Sequence, residues 1–154
     1  VSTPSDAVHT SDAVHTGDTP HAGSDSVTAE RVTGTAEAII AAETHALRRW
    51  GDGDPDGFLD LCHPEVTYFD PFISSRIDGL PALRRHYEQL RGRIHIDRFE
   101  IINPRVVLGS DLAVLSFNFA SQGGNDTFRW NCTEVYREVE GRWLIIATHW
   151  SQVG

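Results

Sequence analysis

The chain has 154 residues, 40% of them hydrophobic, enough for one domain with a real core. Its 13 basic side chains, every one an arginine, stand against 22 acidic ones; the formal charge of -9 repels nucleic acid and anionic membranes and argues against a role on either. Cys62 and Cys132 lie far apart without Cys or His at ligand spacing, no apolar run reaches membrane length, and the first residues lack a signal-peptide pattern, so the expectation is no metal, no cofactor and a cytoplasmic chain with reduced thiols.

Residues 1–33 contain the duplication SDAVHT–SDAVHT from Ser5 to Thr16, then GDTPHAGSDS. Too little here is apolar to offset the entropy of ordering, which predicts a disordered tail with three scattered histidines, His9, His15 and His21, and a folded domain over 34–154. From Thr35 the run TAEAIIAAETHALRRW puts Ile39, Ile40, Ala42, Ala46, Leu47 and Trp50 on one stripe at helical spacing, with Glu37, Glu43, Arg48 and Arg49 elsewhere. GDGDPDG ends that helix, and Asp54 is placed to cap a short second one, Pro55 to Leu61, with proline at its favoured first position.

VTYFD at 66–70 is β-branched and aromatic and reads as a strand ended by Pro71. LPALRRHYEQLRG at 80–92 aligns Leu83, Tyr87 and Leu90 as a third helix, with Gly92 as its stop. After Ile94 four strands are predicted, 97–108, 112–121, 127–139 and 142–151, joined by GSD, QGGND and EVEG. Long strands joined by short turns make an antiparallel meander, and three preceding helices must cover one of its faces; the class is α+β.

Alternation separates Ala113, Leu115, Phe117 and Phe119 from Val114, Ser116 and Asn118. It likewise separates Phe128, Trp130, Cys132, Glu134 and Tyr136 from Arg129, Asn131, Thr133 and Val135, and Leu144, Ile146, Thr148 and Trp150 from Trp143, Ile145, Ala147 and His149. The first and last of these strands are apolar on both faces, which a sheet with one wet face does not need. The expectation is a homodimer through the outer sheet face, with His149 at the interface.

GDPDG (53–57), TYFDP (67–71), IDGLPALRRHYEQL (77–90), INPRVVL (102–108), TEVYREVEGRW (133–143) and THWS (148–151) follow one another with a recognisable spacing. In that order the chain from about Ala36 onward resembles the nuclear transport factor two-like, or SnoaL-like, families, which include ketosteroid isomerase and the association domain of calcium/calmodulin-dependent kinase. The resemblance implies a cone-shaped, strongly curved antiparallel sheet with three helices on one face, a cystatin-like roll. It also implies that Glu134 and Trp150 look into the cone, and by period two Val114, Ser116, Asn118, Trp130, Cys132, Leu144, Ile146 and Thr148 are expected there with them.

The isomerase's catalytic base is an aspartate just before a proline, as Asp70 precedes Pro71, and Glu134 falls where the isomerase keeps an oxyanion-site carboxylic acid. In the isomerase an apolar site keeps that acid protonated, which lets it donate a hydrogen bond. The helix tyrosine of the isomerase falls at about Ala46, so half of that oxyanion site is missing. The kinase association domain, which organises oligomers, carries an arginine in place of Glu134.

Two readings of these residues stay open. In the first, the domain is an enzyme: Asp70 takes a proton next to a carbonyl or a ring, Glu134 donates to developing negative charge, and Tyr68, His86, Asn118, Trp130 and Trp150 contact a small apolar metabolite, without cofactor. Isomerisation, cyclisation, dehydration and epoxide hydrolysis all fall within it. In the second, Asp70 caps the turn at Pro71 or pairs with Arg76 or Arg84, Glu134 pairs with an arginine, and the domain is a binding or association module.

Overall fold

The computed structural model describes the backbone of residues 22–154, with side chains from Thr28 onward; the SDAVHT repeat and His9, His15 and His21 lie outside the described residues. Helix α1 spans Ala22–Gly51 and so takes in residues 22–33, which composition had assigned to the tail. No proline lies between Pro20 and Pro55, and once the packed part is helical each further turn adds hydrogen bonds without a new nucleus. Residues 28–34 remain exposed, and the core begins at Ile39.

Helix α2 is a single turn, Asp56–Leu59, and Asp54 accepts the Asp56 backbone N–H through Oδ1 at 3.0 Å. Strand β1 covers Cys62–Phe69, a two-residue strand β2 follows at Ile77–Asp78, and helix α3 runs Leu80–Glu88. Strands β3 (Arg98–Leu108), β4 (Leu112–Gly123), β5 (Asp126–Val139) and β6 (Arg142–Gln152) complete a curved, unclosed six-stranded sheet of order β2-β1-β6-β5-β4-β3. The architecture is the expected α+β one, with one departure: β1 pairs with β6 in parallel, so the sheet is not antiparallel throughout.

Turn chemistry sets the registers. Glu140 (φ 51) and Gly141 (φ 78) form a two-residue turn that closes Val139 onto Arg142, with both central residues left-handed as a tight hairpin wants. Gly124 (φ 62) and Asn125 close Gly123 onto Asp126, which places Phe117 opposite Cys132 and Leu115 opposite Glu134. On the edge strand β3 the pairing slips between Ile102 and Arg105, where Asn103 takes φ 50 ahead of Pro104; a bulge absorbs the proline that a regular ladder would reject.

Helix α1 lies against β3 and α3 against β1, and the buried face of the sheet supplies Ala113, Leu115, Phe117, Phe119, Cys132, Tyr136 and Ile145 to the core. Both cysteines are buried and free. Gly53, at φ +80, joins the helical layer to the loop after α3: its carbonyl accepts the Gly92 N–H at 2.8 Å, and a Cβ there would stand 2.9 Å from the Gly92 Cα. Gly53→Ala combines a left-handed backbone with a clash against main chain, so we expect about 2 kcal/mol loss of stability in urea unfolding. An unchanged midpoint would contradict this contact.

Candidate functional site

Between the helical layer and the concave face of the sheet lies a cavity of about 540 Å³, within the size range of small-molecule sites. Its wall is mainly apolar and aromatic, with Leu47 and Trp50 from α1, Phe58 from α2, Tyr87 from α3, and Phe119, Trp130 and Trp150 from the sheet. Polar groups enter at few points: Tyr68 and Asp70, Ser121 and Gln152, and Arg93 and His95 from the loop after α3. Phe72, 74% exposed, packs edge-on over Trp130 with ring centroids 5.9 Å apart.

Asp70 stands where β1 gives way to the loop at Pro71, with its side chain only 9% exposed. Oδ1 accepts the backbone N–H groups of Phe72 at 2.7 Å and Ile73 at 3.1 Å, so the residue does cap the turn. Oδ2 accepts the Tyr68 hydroxyl at 2.6 Å, and the Nε2 of His86 lies 3.8 Å away, buried and without a hydrogen-bond partner. Burial first, then the bond to Asp70, holds the Tyr68 phenol well above its ordinary range, so it stays a donor. Neither expected arginine pairs with Asp70: Arg76 is bound to Asp78 and Arg84 faces Asp56. One carboxylate oxygen therefore builds the turn, and the other is held by the Tyr68 hydroxyl.

Glu134 is fully buried, but it does not line the cavity and among the described residues no arginine pairs with it. Its Oε1 accepts the Thr148 hydroxyl at 2.9 Å, and its Oε2 is 2.8 Å from the Tyr136 oxygen, which is also 2.9 Å from Glu43 Oε2. The partner of Glu134 is thus Glu43 on α1, across Tyr136, rather than Asp70. A phenol has one hydrogen and can donate to only one of the two carboxyls, so the other contact needs a carboxylic proton donated to the phenol oxygen. Burial and then the charge of Glu134 raise the Glu43 carboxyl well above its ordinary value, and burial raises Glu134, so Glu43 is the natural holder of that proton.

Helical periodicity on its own placed Glu43 off the apolar stripe, yet Ile39, Glu43, Ala46, Leu47 and Trp50 recur at helical spacing, and Glu43 is as buried as its neighbours. Its position among those residues was the available signal. The two carboxyls expected together in the cone, Asp70 and Glu134, are not brought together: Glu134 sits with Glu43, away from the cavity that Asp70 lines.

Strand parity explains which other expectations fall together. Tyr68, Trp130 and Trp150 line the cavity with Asp70, and Cys132 and Thr148 share that face of the sheet, buried. Asn118 does not: it lies on the outer face, exposed, donating to Asn131 Oδ1 at 2.7 Å, and Phe119 is the β4 residue at the cavity. Val114 and Ser116 turn outward with Asn118, because the Gly124–Asn125 turn pairs even with odd numbers across β4 and β5. On β6 the register slips between Val135 and Tyr136, so Ile145 faces inward where Leu144 and Ile146 were expected. His86 is not among the residues lining the cavity, although its Nε2 lies 3.8 Å from Asp70 Oδ2, and His149 is exposed on the outer face against Phe69.

A structure of a candidate ketosteroid isomerase from Parabacteroides distasonis is similar to this chain, with 40% identity, TM-score 0.71, and coverage of 77% of this chain and 87% of that one. The association domain of the Caenorhabditis elegans type II calcium/calmodulin-dependent kinase shares the fold at 21% identity, with TM-score 0.67 and coverage of 77% and 96%. In sequence, the Drosophila melanogaster alpha chain of the same kinase is 23% identical over 121 residues, 73% of this chain; the chain spans only 23% of that relative's length. Among the described residues no helix is long and apolar enough to cross a membrane. The model of the SnoaL-like domain matches residues 42–146, well over half of the sequence, and the chain belongs to the SnoaL-like family.

Proposed function

We propose that the domain is a general acid–base enzyme that moves a proton next to a carbonyl or ring of a small, largely apolar molecule, with Asp70 as the base. The observation that carries this is the Asp70 carboxylate on the wall of an aromatic cavity, oriented by three donors from Tyr68, Phe72 and Ile73. Such fixing lets the lone pairs on Oδ2 meet a bound C–H without reorganisation, which is the geometric condition for base catalysis. Trp130 and Trp150 supply flat walls for a ring, and Ser121 and Gln152 are cavity groups able to donate to developing negative charge.

Glu134 takes no part in substrate contact in this reading; it belongs to the buried network with Glu43. A mechanism needing two cavity carboxylates, such as water addition to an epoxide, is accordingly less well supported than proton transfer at carbon. The solved structure of a candidate ketosteroid isomerase at 40% identity supports the same class of chemistry. The test is solvent-deuterium exchange into 2-tetralone, whose activated α-hydrogens report base catalysis without knowledge of the natural substrate. Exchange that is no faster with the protein than with buffer would end this reading.

The outer sheet face favours a second role. Val107 and Val114 sit opposite each other there, 54% and 37% exposed, and Phe69 and Leu112 add further apolar surface. We propose that this face joins two copies, as a homodimer. Val114→Asp is expected to reduce the light-scattering mass from two chains to one at micromolar concentration. A wild-type protein already of one-chain mass would contradict the interface.

A further inference from the structure

We infer that the molecule taken into the cavity carries a carboxylate, which Arg93 anchors at the mouth while the apolar body lies toward Asp70. The inference rests on the reading that this cavity is the substrate site.

Arg93 is the single arginine in the cavity wall among the described residues. Among the described residues its guanidinium makes one hydrogen bond, from Nη1 to the Gln89 carbonyl at 3.3 Å, and no carboxylate lies within ion-pair distance of it. Two positions earlier, Arg91 is held by Glu88, Asp54 and Asp56. Asp97, four positions after Arg93 along the chain, is already occupied: its Oδ1 faces His95 Nε2 at 3.0 Å and its Oδ2 accepts the Gly124 N–H at 2.8 Å. The planar fork of Arg93 is left open, and a carboxylate is the group it matches in two parallel bonds.

Depth gives the orientation. The Asp70 side chain is only 9% exposed, whereas Arg93 is open to solvent. A ligand carboxylate is repelled by Asp70 and attracted by Arg93, so both charges drive the same pose, carboxylate outward and ring inward against Trp130 and Trp150. The anionic end stays near water, where its desolvation costs little, and the apolar body gains the burial. The two charges thus select for a ring-bearing acid over its neutral analogue and present the far end of the ring to the base.

The test is calorimetric titration of the full chain with 2-naphthoate and with its neutral analogue 2-naphthamide, in wild type and Arg93→Gln, at low and high salt. The expected result is that wild type binds the carboxylate about tenfold more tightly than the amide at low salt, as a charged hydrogen-bonded pair provides. The preference should shrink with salt and vanish in Arg93→Gln. Equal affinity for the two probes in wild type, a preference that survives Arg93→Gln, or no binding of either probe would overturn the inference. Proton exchange by Asp70 is read separately on neutral 2-tetralone, so loss of the carboxylate preference with exchange intact removes only this inference. Preference without exchange removes only the acid–base reading.

Discussion

Replacing Asp70 by asparagine is expected to slow deuterium exchange into 2-tetralone by about a hundredfold or more, the usual scale for loss of a positioned general base. Asparagine is the informative substitution because Asp70 has two jobs. Its side-chain carbonyl can still accept the Phe72 and Ile73 N–H groups, so the turn at Pro71 persists, while the basic oxygen facing Tyr68 is replaced by an amide that cannot take a proton. Alanine would remove both and confuse a folding defect with a catalytic one. The exchange rate should therefore collapse while the urea midpoint moves little. Undiminished exchange in Asp70→Asn would leave the carboxylate as a turn cap and nothing more.

The second large effect concerns the buried carboxyls. Tyr136→Phe removes the hydroxyl that lies between Glu43 and Glu134, leaving both acids in the core with one partner fewer, and should cost about 3 kcal/mol in urea unfolding. The same network predicts a pH dependence. Both carboxyls have folded values raised above the ordinary 4.5, so the native state holds protons that the unfolded chain releases. The stabilisation from this pair is complete below about pH 4.5, and it is lost as pH rises through the raised folded values, when a second negative charge must form in the core. Glu43→Gln keeps a donor for the Tyr136 oxygen and removes the titrating proton, so its stability should decline less on the alkaline side than that of wild type. Identical alkaline slopes in the two proteins would show that Glu43 does not hold the proton.

Much of the architecture was legible because local signals agreed with one another. The stripe Ile39, Ala46, Leu47 and Trp50, the Asp54–Pro55 start of α2, and the alternation in β4 to β6 each report a periodicity that the backbone obeys. Asp70 was legible for the same reason: an aspartate ahead of a proline at a strand end is a local pattern, and both its turn and its cavity contact lie within three residues of it. Tyr68, two residues back on the same strand face, came with it.

What alternation cannot supply is the phase between strands. Period two sorts a strand into two faces, but which face meets which depends on turn length and bulges. The Gly124–Asn125 turn sent Asn118 outward, and the slip between Val135 and Tyr136 turned Ile145 inward. Partners distant in sequence are hidden for a related reason. Glu43 and Tyr136 are 93 positions apart, and only the packing of α1 on the sheet makes them neighbours, so a charged residue read as surface becomes half of a proton-sharing pair. The family, the main helices and the long strands, and the carboxylate at Pro71 could be read from the chain, because each rests on spacing between near neighbours; the two-residue β2 and the helix over residues 22–33 could not. Which acids face each other, and which arginine stands open at the cavity, emerged only on folding, because these depend on registers and packing that no short stretch of chain encodes.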